Sequence, residues 1–499
     1  MPFSFDQMIR ALGAADPLSG RSPKTRRLAT SLRRAIATGR ARPGELLPST
    51  RELARDHEVH RQTVMAALQT LAAEGWIEAE PRRGYRVSAV SPDAYLRAKG
   101  EVAERPPTGF VWRAARHAGM DVLPEARVSL ANAGPDARLF PVDELRACYA
   151  LALRDRTRRS LEAVDVEGHP RLVRALATYL RRVRGIAGRA VTITLGAQDA
   201  LHSLAELLVS PGDRVAVECP GYPPAWEAFR LAGAELVPVP VDQHGLSVDA
   251  LERITRDKPL RALYTTPLHQ FPTTVTLTRE RREALLRITA RARIMVIEDD
   301  YDHEYHYAAA PAAPLAAYPG AGHVVYVGTL AKALFPSARV GFVAAEESLV
   351  ARLSRLRRAS LRACDGLAQL ALAHWIDDGA LERHLRRTRK VYARRRDAMV
   401  EALREFVVAR GLGSFATPTG GLAIWLGLLG SDASAVAREA LRRGVLVIPE
   451  ASLQLRAGED SHLRLGFASL TEAEARASLR VMRDALVTVS TSASKRRPR

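Results

Sequence analysis

A chain of 499 residues is too long for one ordinary core and, at about 150 residues per domain, divides into roughly three packed units. Hydrophobic residues at 47% and charged residues at 26% exclude a wholly disordered or fibrous chain. Lys and Arg total 74 against 55 Asp and Glu, a formal charge of +19 that suits a polyanionic partner and equally suits an Arg-rich composition.

Cys148, Cys219 and Cys364 lie far apart, without a C-x-x-C pair, which excludes a disulfide framework and a zinc ribbon. No metal site is expected. The segment MPFSFDQMIRALGAADPLSG has no apolar h-region, and no apolar run reaches the about 18 residues of a membrane helix. A cytoplasmic protein without a membrane partner is the expectation.

In chain order, residues 20–88 form the first unit. Ser49 followed three positions later by Glu52 is a capping box that starts a helix. After a break at Asp56 to His60 a second helix follows. Its Val64, Ala67, Leu68 and Leu71 recur at helical spacing and leave Arg61, Gln62 and Thr63 at its N-terminus, where a recognition helix reads base edges. The chain then turns through Pro81, Arg82, Arg83 and Gly84 into Tyr85, a hairpin tip with two guanidinium groups. Residues 21–87 hold 14 basic and 7 acidic side chains, an excess that suits phosphate contact or a solvated protein-interaction module. The stretch GRARPGELLPSTRELA resembles the signature of the GntR class of winged helix-turn-helix regulators. The resemblance implies that Arg51, Arg61, Gln62 and Thr63 touch DNA, with Arg83 and Gly84 at the wing. His60 and Arg83 depart from the residues usual there.

Residues 89–126, charged and Pro-containing, suit a linker. Beyond it, residues 127–485 alternate β-branched runs (VTITL, RVAVE, ALYTTP, RIMVIEDD, HVVYVGTL) with helical patterns such as DALHSLAELLV. That alternation predicts an α/β part over about 165–390, with a mostly parallel sheet under helices on both faces. The runs LAIWLGL, VLVIP and HLRLGF predict a smaller α+β part over about 391–485, and residues 486–499 a basic disordered tail.

In GTLAKALFPSARVGF, Lys332 follows a strand and Arg339 stands seven positions later, an arrangement that suits a Schiff-base lysine beside a phosphate or a solvated lysine before a helix. RIMVIEDDYDHEY ends a strand in Glu298, Asp299, Asp300 and Tyr301, at the sheet edge where open α/β folds bind ligands. A carboxylate there can keep a pyridine nitrogen protonated, or belong to a metal or loop-capping cluster. GAQDAL opens a helix whose free N–H groups can hold a phosphate. Tyr222, in the turn of ECPGYPPAW, can stack on a planar cofactor or simply pack.

Together these segments resemble the fold-type I aminotransferases, which carry pyridoxal 5′-phosphate. With NAGPDARLFP, GHPRLVRALATYLRRVRGI, TPLHQFPTTVTL and HLRLGFAS in this order, the whole chain resembles MocR-type regulators, a GntR winged helix joined to an aminotransferase-like domain. The resemblance implies pyridoxal 5′-phosphate on Lys332, with Asp299 facing its ring nitrogen, Tyr301 its ring hydroxyl and Tyr222 stacked on the ring. It further implies that Gly196, Ala197, Gln198, Thr329 and Arg339 hold the phosphate and Arg464 grips a ligand carboxylate, unless Arg464 makes only a structural salt bridge. Operator DNA, a small amine or amino-acid effector and a homodimer are the implied partners. Ala331, Leu268 and Thr274 replace the usual Ser, Ser and Gly. Two rivals are a working aminotransferase with a DNA-binding appendage and an oligomerisation platform that binds no cofactor.

Overall fold

The computed structural model describes residues 24–92 except 82 and 91, and 124–494 except 156, 157, 159, 160, 162–164, 308–310, 457 and 459. Two compact units divide between residues 112 and 113. Residues 93–123 of the expected linker lie outside the described residues.

The first unit runs α1 (Lys24–Ala37), α2 (Thr50–Asp56), α3 (Arg61–Ala73) and a hairpin of β1 (Ile77–Glu80) and β2 (Gly84–Val87). Its core is one cluster in which Leu28 and Leu32 of α1, Leu53 of α2 and Leu68 and Leu71 of α3 meet Trp76, Ile77 and Val87. The expected capping box is present at Ser49 and Glu52. Arg33 of α1 clasps Glu74 just past α3 at 2.7 Å, and Arg86 bonds Glu80 across the hairpin at 2.5 Å. The hairpin's other edge is also tied, since Leu47 N–H donates to Tyr85 C=O at 2.8 Å.

The second unit opens with β3 (Val128–Ser129), α4 (Val142–Leu153), α5 (Pro170–Arg184) and β4 (Ala190–Thr194). Then come α6 (Ala197–Leu208), β5 (Arg214–Cys219), α7 (Pro223–Leu231), β6 (Glu235–Asp242), β7 (Gly245–Leu246), α8 (Val248–Asp257) and β8 (Ala262–Thr265). They lead to α9 (Arg279–Arg291), β9 (Met295–Asp300), β10 (Val324–Thr329), β11 (Gly341–Ala345), α10 (Glu347–Ala359) and α11 (Gly366–Asp377). The large sheet has eight strands in the order β4-β11-β10-β9-β8-β5-β6-β7, parallel from β10 to β6. Successive strand residues go to opposite faces, as the pleat requires. Val296 and Tyr326 join one core cluster while Ile297 and Val327 join the other, so apolar strands without polar alternation are buried on both sides.

Two strands depart from the parallel pattern, the edge strand β7, which pairs antiparallel with β6, and β11. β11 lies antiparallel between β10 and β4 because only residues 330–340 separate it from β10. A parallel crossover needs a dozen or more residues, so the chain reverses instead, and the reversal carries Lys332. No α-helix follows that lysine; a short 3-10 turn over Pro336–Ala338 leads straight into β11.

The third part begins within α12 (Ala380–Phe406) and continues through β12 (Gly413–Phe415), β13 (Ala423–Leu428), α13 (Ala433–Arg442), β14 (Val445–Leu446), β15 (Ile448–Pro449), β16 (His462–Gly466) and α14 (Glu472–Ser494). Its four-stranded antiparallel sheet has the order β12-β13-β16-β15, and β14 pairs with β3 from the start of the unit. Two expected boundaries shift. The division at 390/391 falls inside α12, which is one continuous helix, and the tail expected from 486 is helical through Ser494. Met482, Ala485 and Leu486 are fully buried, and that apolar stripe docks the last turns of α14.

Candidate functional site

In the first unit the expected DNA-facing residues gather at helix and hairpin ends. Arg51 is exposed in the first turn of α2, and Arg61 and Gln62 are exposed at the start of α3, while Thr63 is half-buried. His60, unusual at that position, serves as the α3 cap: its Nδ1 accepts from Gln62 N–H at 3.4 Å. Arg61 Nε donates to Thr50 Oγ1 at 3.3 Å and so joins the two helix starts. At the wing Arg83 is exposed, and Gly84 has φ +109°, a backbone state that a side chain would strain. Arg82 lies outside the described residues.

In the second unit, Gly196, Ala197, Gln198, Tyr222, Asp299, Tyr301, Thr329, Lys332, Arg339 and Arg464 all line one cavity of about 340 Å³. The sheet topology brings them there. Parallel pairing of β9 with β10 sets Val327 opposite Asp299 and Gly328 opposite Asp300, so the acidic pair and Thr329 reach the same C-terminal edge. The reversal after β10 returns Lys332 to that edge, and β16 delivers Arg464.

Lys332 Nζ donates to Ala133 C=O at 3.0 Å. Burial, helped by the Arg464 cation, pushes its amine down to about 8. Asp299 Oδ2 accepts from Tyr264 Oη at 2.9 Å, whereas its Oδ1 is buried with no partner. Burial raises the Asp299 carboxyl to about 7, against the Tyr264 hydrogen bond. Its neighbour Asp300 behaves oppositely. Burial would raise it too, but His303 at 2.7 Å, Arg184 and Tyr326 at 2.6 Å hold it well below the ordinary carboxylate range.

One side of the cavity is the N-terminus of α6, where Gly196 offers no side-chain cap. A Cβ at Gly341 would lie 2.5 Å from Gly196 C and would push this turn out of place. Gln198 Nε2 donates to Pro224 C=O at 2.7 Å, leaving its Oε1 unpartnered. Thr329 Oγ1 accepts from Ala331 N–H at 3.1 Å and thus braces the lysine turn. Arg339 is exposed, in a left-handed backbone state at φ +48°.

Across the cavity, Arg464 is 5% exposed and no carboxylate among the described residues pairs with it. Its guanidinium lies 4.5 Å from the centroid of the Phe271 ring, and its Nε has no partner. Phe271 in turn meets Tyr222 edge-on at 5.0 Å and Tyr301 at 6.5 Å. Tyr301 Oη donates to His269 C=O at 2.9 Å, and the buried His269 ring bonds Asp302 at 2.7 Å. Burial pushes the Tyr222 phenol up to about 12. Thr274, where the family has Gly, stands at φ +64°, closed by its N–H on Gln270 C=O at 2.7 Å. Tyr264, Phe271 and Ala133 also line the cavity; they lie in ALYTTP, TPLHQFPTTVTL and NAGPDARLFP, but those segments gave them no expected role.

The aminotransferase class I and II family model matches residues 140–481, and the model for bacterial regulatory proteins of the gntR family matches residues 24–87. The probable rhizopine catabolism regulatory protein MocR of Rhizobium meliloti is 36% identical over 77% of this chain and 77% of its own length. The HTH-type transcriptional regulator TauR of Rhodobacter capsulatus is 33% identical over 86% of this chain and 89% of its own. The chain belongs to the MocR-type transcriptional regulators. Among solved structures, Pyrococcus horikoshii kynurenine aminotransferase in complex with PMP superposes with TM-score 0.69 at 28% identity, covering 72% of this chain and 91% of the other. LysN, the α-aminoadipate aminotransferase of Thermus thermophilus, gives 0.67 at 29% identity, covering 73% and 93%. The MocR-type chain thus joins a GntR DNA-binding unit to an aminotransferase-like domain of fold type I. None of its helices among the described residues is long and apolar enough to cross a membrane.

Proposed function

We propose that this regulator binds pyridoxal 5′-phosphate in the Lys332 cavity and senses there a small amino acid or amine, coupling that event to operator binding in the cytoplasm. The observation that carries the reading is a pair of buried polar atoms without a partner on residues lining one cavity: Asp299 Oδ1 and Arg464 Nε. A buried acceptor without a donor is costly, and a protonated pyridine nitrogen is the donor it lacks. The uncapped start of α6, with Arg339, fits a phosphate. Bound there, the cofactor supplies an aldehyde for amines and an electron-accepting ring.

The chain's own residues do the rest. Lys332, with its amine lowered to about 8, is neutral in a useful fraction of molecules at physiological pH and would be the nucleophile that holds the cofactor. Asp299 would hold the ring-nitrogen proton, Tyr301 would answer the ring hydroxyl, and Tyr222 would cover the ring. Arg464 takes the ligand carboxylate through its fork of donors. A ligand that displaces Lys332 shifts DNA affinity only if the two states of the domain suit DNA unequally.

A homodimer is part of the proposal. Val142 and Leu153 of α4 are 59% and 61% exposed, apolar surface that a second subunit would cover. Sedimentation of a monomer at micromolar concentration would overturn it.

The test is the visible spectrum of the cofactor-loaded protein during titration with a panel of amino acids, followed by a keto acid. A spectral shift that stops at the first ligand supports a sensor. Conversion to the aminated cofactor, reversed by the keto acid, makes the domain a working aminotransferase.

A further inference from the structure

The first half of α12 carries a charge excess that the proposed cofactor site does not use. Residues 380–396, ALERHLRRTRKVYARRR, hold 8 basic side chains and 1 acidic one. That excess equals the excess over the whole of residues 21–87, packed into a quarter of the length. Three of the cations have internal work: Arg395 pairs with Asp136 at 2.8 Å, Arg389 Nε donates to Glu304 C=O at 2.8 Å, and Arg396 pairs with Asp397 at 2.7 Å.

The other five, Arg383, Arg386, Arg387, Lys390 and Arg394, are all exposed. Their spacing puts them on one face of the helix, over about 16 Å at about 1.5 Å per residue. No carboxylate among the described residues pairs with any of them. Arg383 and Arg387 are steadied by carbonyls instead, donating to Asp378 C=O at 2.7 Å and Leu139 C=O at 2.8 Å. Like charges three and four positions apart destabilise a helix, so the row persists at a cost that a polyanion would remove. Duplex DNA presents one negative charge per about 1.7 Å of axis, and it is the polyanion this protein meets.

We propose that this face of α12 is a second DNA-binding surface, gripping the phosphate backbone outside the bases that the winged helix reads. The proposal takes from the DNA-binding reading only that duplex is the available polyanion. Backbone contact of this kind is independent of sequence, so the probe is a duplex of arbitrary sequence, about 60 base pairs long.

Binding is measured against salt for the full chain, for the pair Arg386→Ala/Lys390→Ala, and for a pair removing equal charge elsewhere, Arg352→Ala/Arg355→Ala on α10. The α12 pair is expected to flatten the plot of log affinity against log salt by about 2, and to weaken binding about tenfold or more near 0.1 M salt. The α10 pair is expected to leave both unchanged. Arg51→Ala/Arg61→Ala in the first unit is expected to weaken the probe while leaving the part that the α12 pair removes. Equal slopes in all proteins, equal flattening by both charge pairs, or loss of all DNA binding in the Arg51/Arg61 variant overturns the proposal. So does an α12 pair that changes only sedimentation, which assigns the face to a second copy of the chain. Melting temperatures within about 2 °C of wild type establish that the alanine variants are folded.

Discussion

Arg51, Arg61, Gln62 and Arg83 stand in solvent at the ends of short elements of the first unit, whereas Asp299 and Arg464 of the second are 4% and 5% exposed. The two surroundings give the same kinds of charge different physics. An exposed cation near DNA is screened by salt and acts nearly on its own, so contacts add and salt tunes them. A buried charge is governed by desolvation and by its few neighbours, so a single partner decides its protonation and pH tunes it. Asp299 and Asp300 make the point within one strand: equally buried, one is raised to about 7 and the other is held low by His303, Arg184 and Tyr326.

The sharpest break of this contrast is Lys332→Ala. Removing the amine should abolish the visible band of lysine-attached cofactor altogether while leaving the circular dichroism of the fold unchanged, because the lysine side chain packs no core. An undiminished band would move the covalent role to another residue. Next in size is the pH response of the empty cavity. The Asp299 carboxyl rises from 3.8 to about 7 in the fold, so its proton is held more tightly in the folded chain than in the unfolded one. Its contribution to stability is therefore complete below about pH 4 and is lost as pH climbs to about 7, on the order of 4 kcal/mol. In the cofactor-free protein, the melting temperature of wild type should fall relative to that of Asp299→Asn across this window. Parallel curves would place the titration elsewhere.

The same contrast explains how much could be read without coordinates. The first unit was legible almost entirely, since a capping box, a short break and helical spacing are local signals, and Ser49, His60 and Arg61 stand where those signals put them. In the second unit the residues fixed to strand ends were legible too: Asp299, Thr329, Gly196 and Tyr222 follow runs of β-branched residues. Their partners were not. Tyr264 meets Asp299 from the neighbouring strand, Ala133 meets Lys332 from 199 positions away, and Phe271 meets Arg464 from the turn that follows β8. Such contacts depend on strand order, and strand order turned on a short reversal into antiparallel β11, a strand that the expectation of a mostly parallel sheet did not place. Apolar burial likewise overrode composition at the C-terminus, where a Ser- and Thr-rich segment became helix because Leu486 anchors it.

On the exposed side, Arg61→Ala tests additivity. If Arg61 reads a base, operator binding should weaken by about 1 to 3 kcal/mol while arbitrary duplex binds nearly as before. If it meets only phosphate, both should weaken alike and the salt slope should fall by about 1. Wild-type affinity for both duplexes would remove Arg61 from the interface.

The smallest effect lies where the buried region borrows a device from the surface. Arg464 is held against the face of Phe271 and forms no ion pair among the described residues, so the ring steadies the cation without neutralising it and leaves its charge for a ligand. Such a contact is worth about 0.5 to 2 kcal/mol. Phe271→Leu keeps the apolar volume and loses the ring quadrupole, so Arg464 should lose orientation and keep its charge. Amino-acid ligands should then bind the cofactor-loaded protein more weakly by that amount. Simple amines without a carboxylate should shift the spectrum at unchanged concentration, because they never engage Arg464. Equal weakening of both ligand classes would mean that Phe271 supports the cavity as a whole, and the guanidinium would then owe its position to Tyr301 and the backbone of β16 rather than to the ring beneath it.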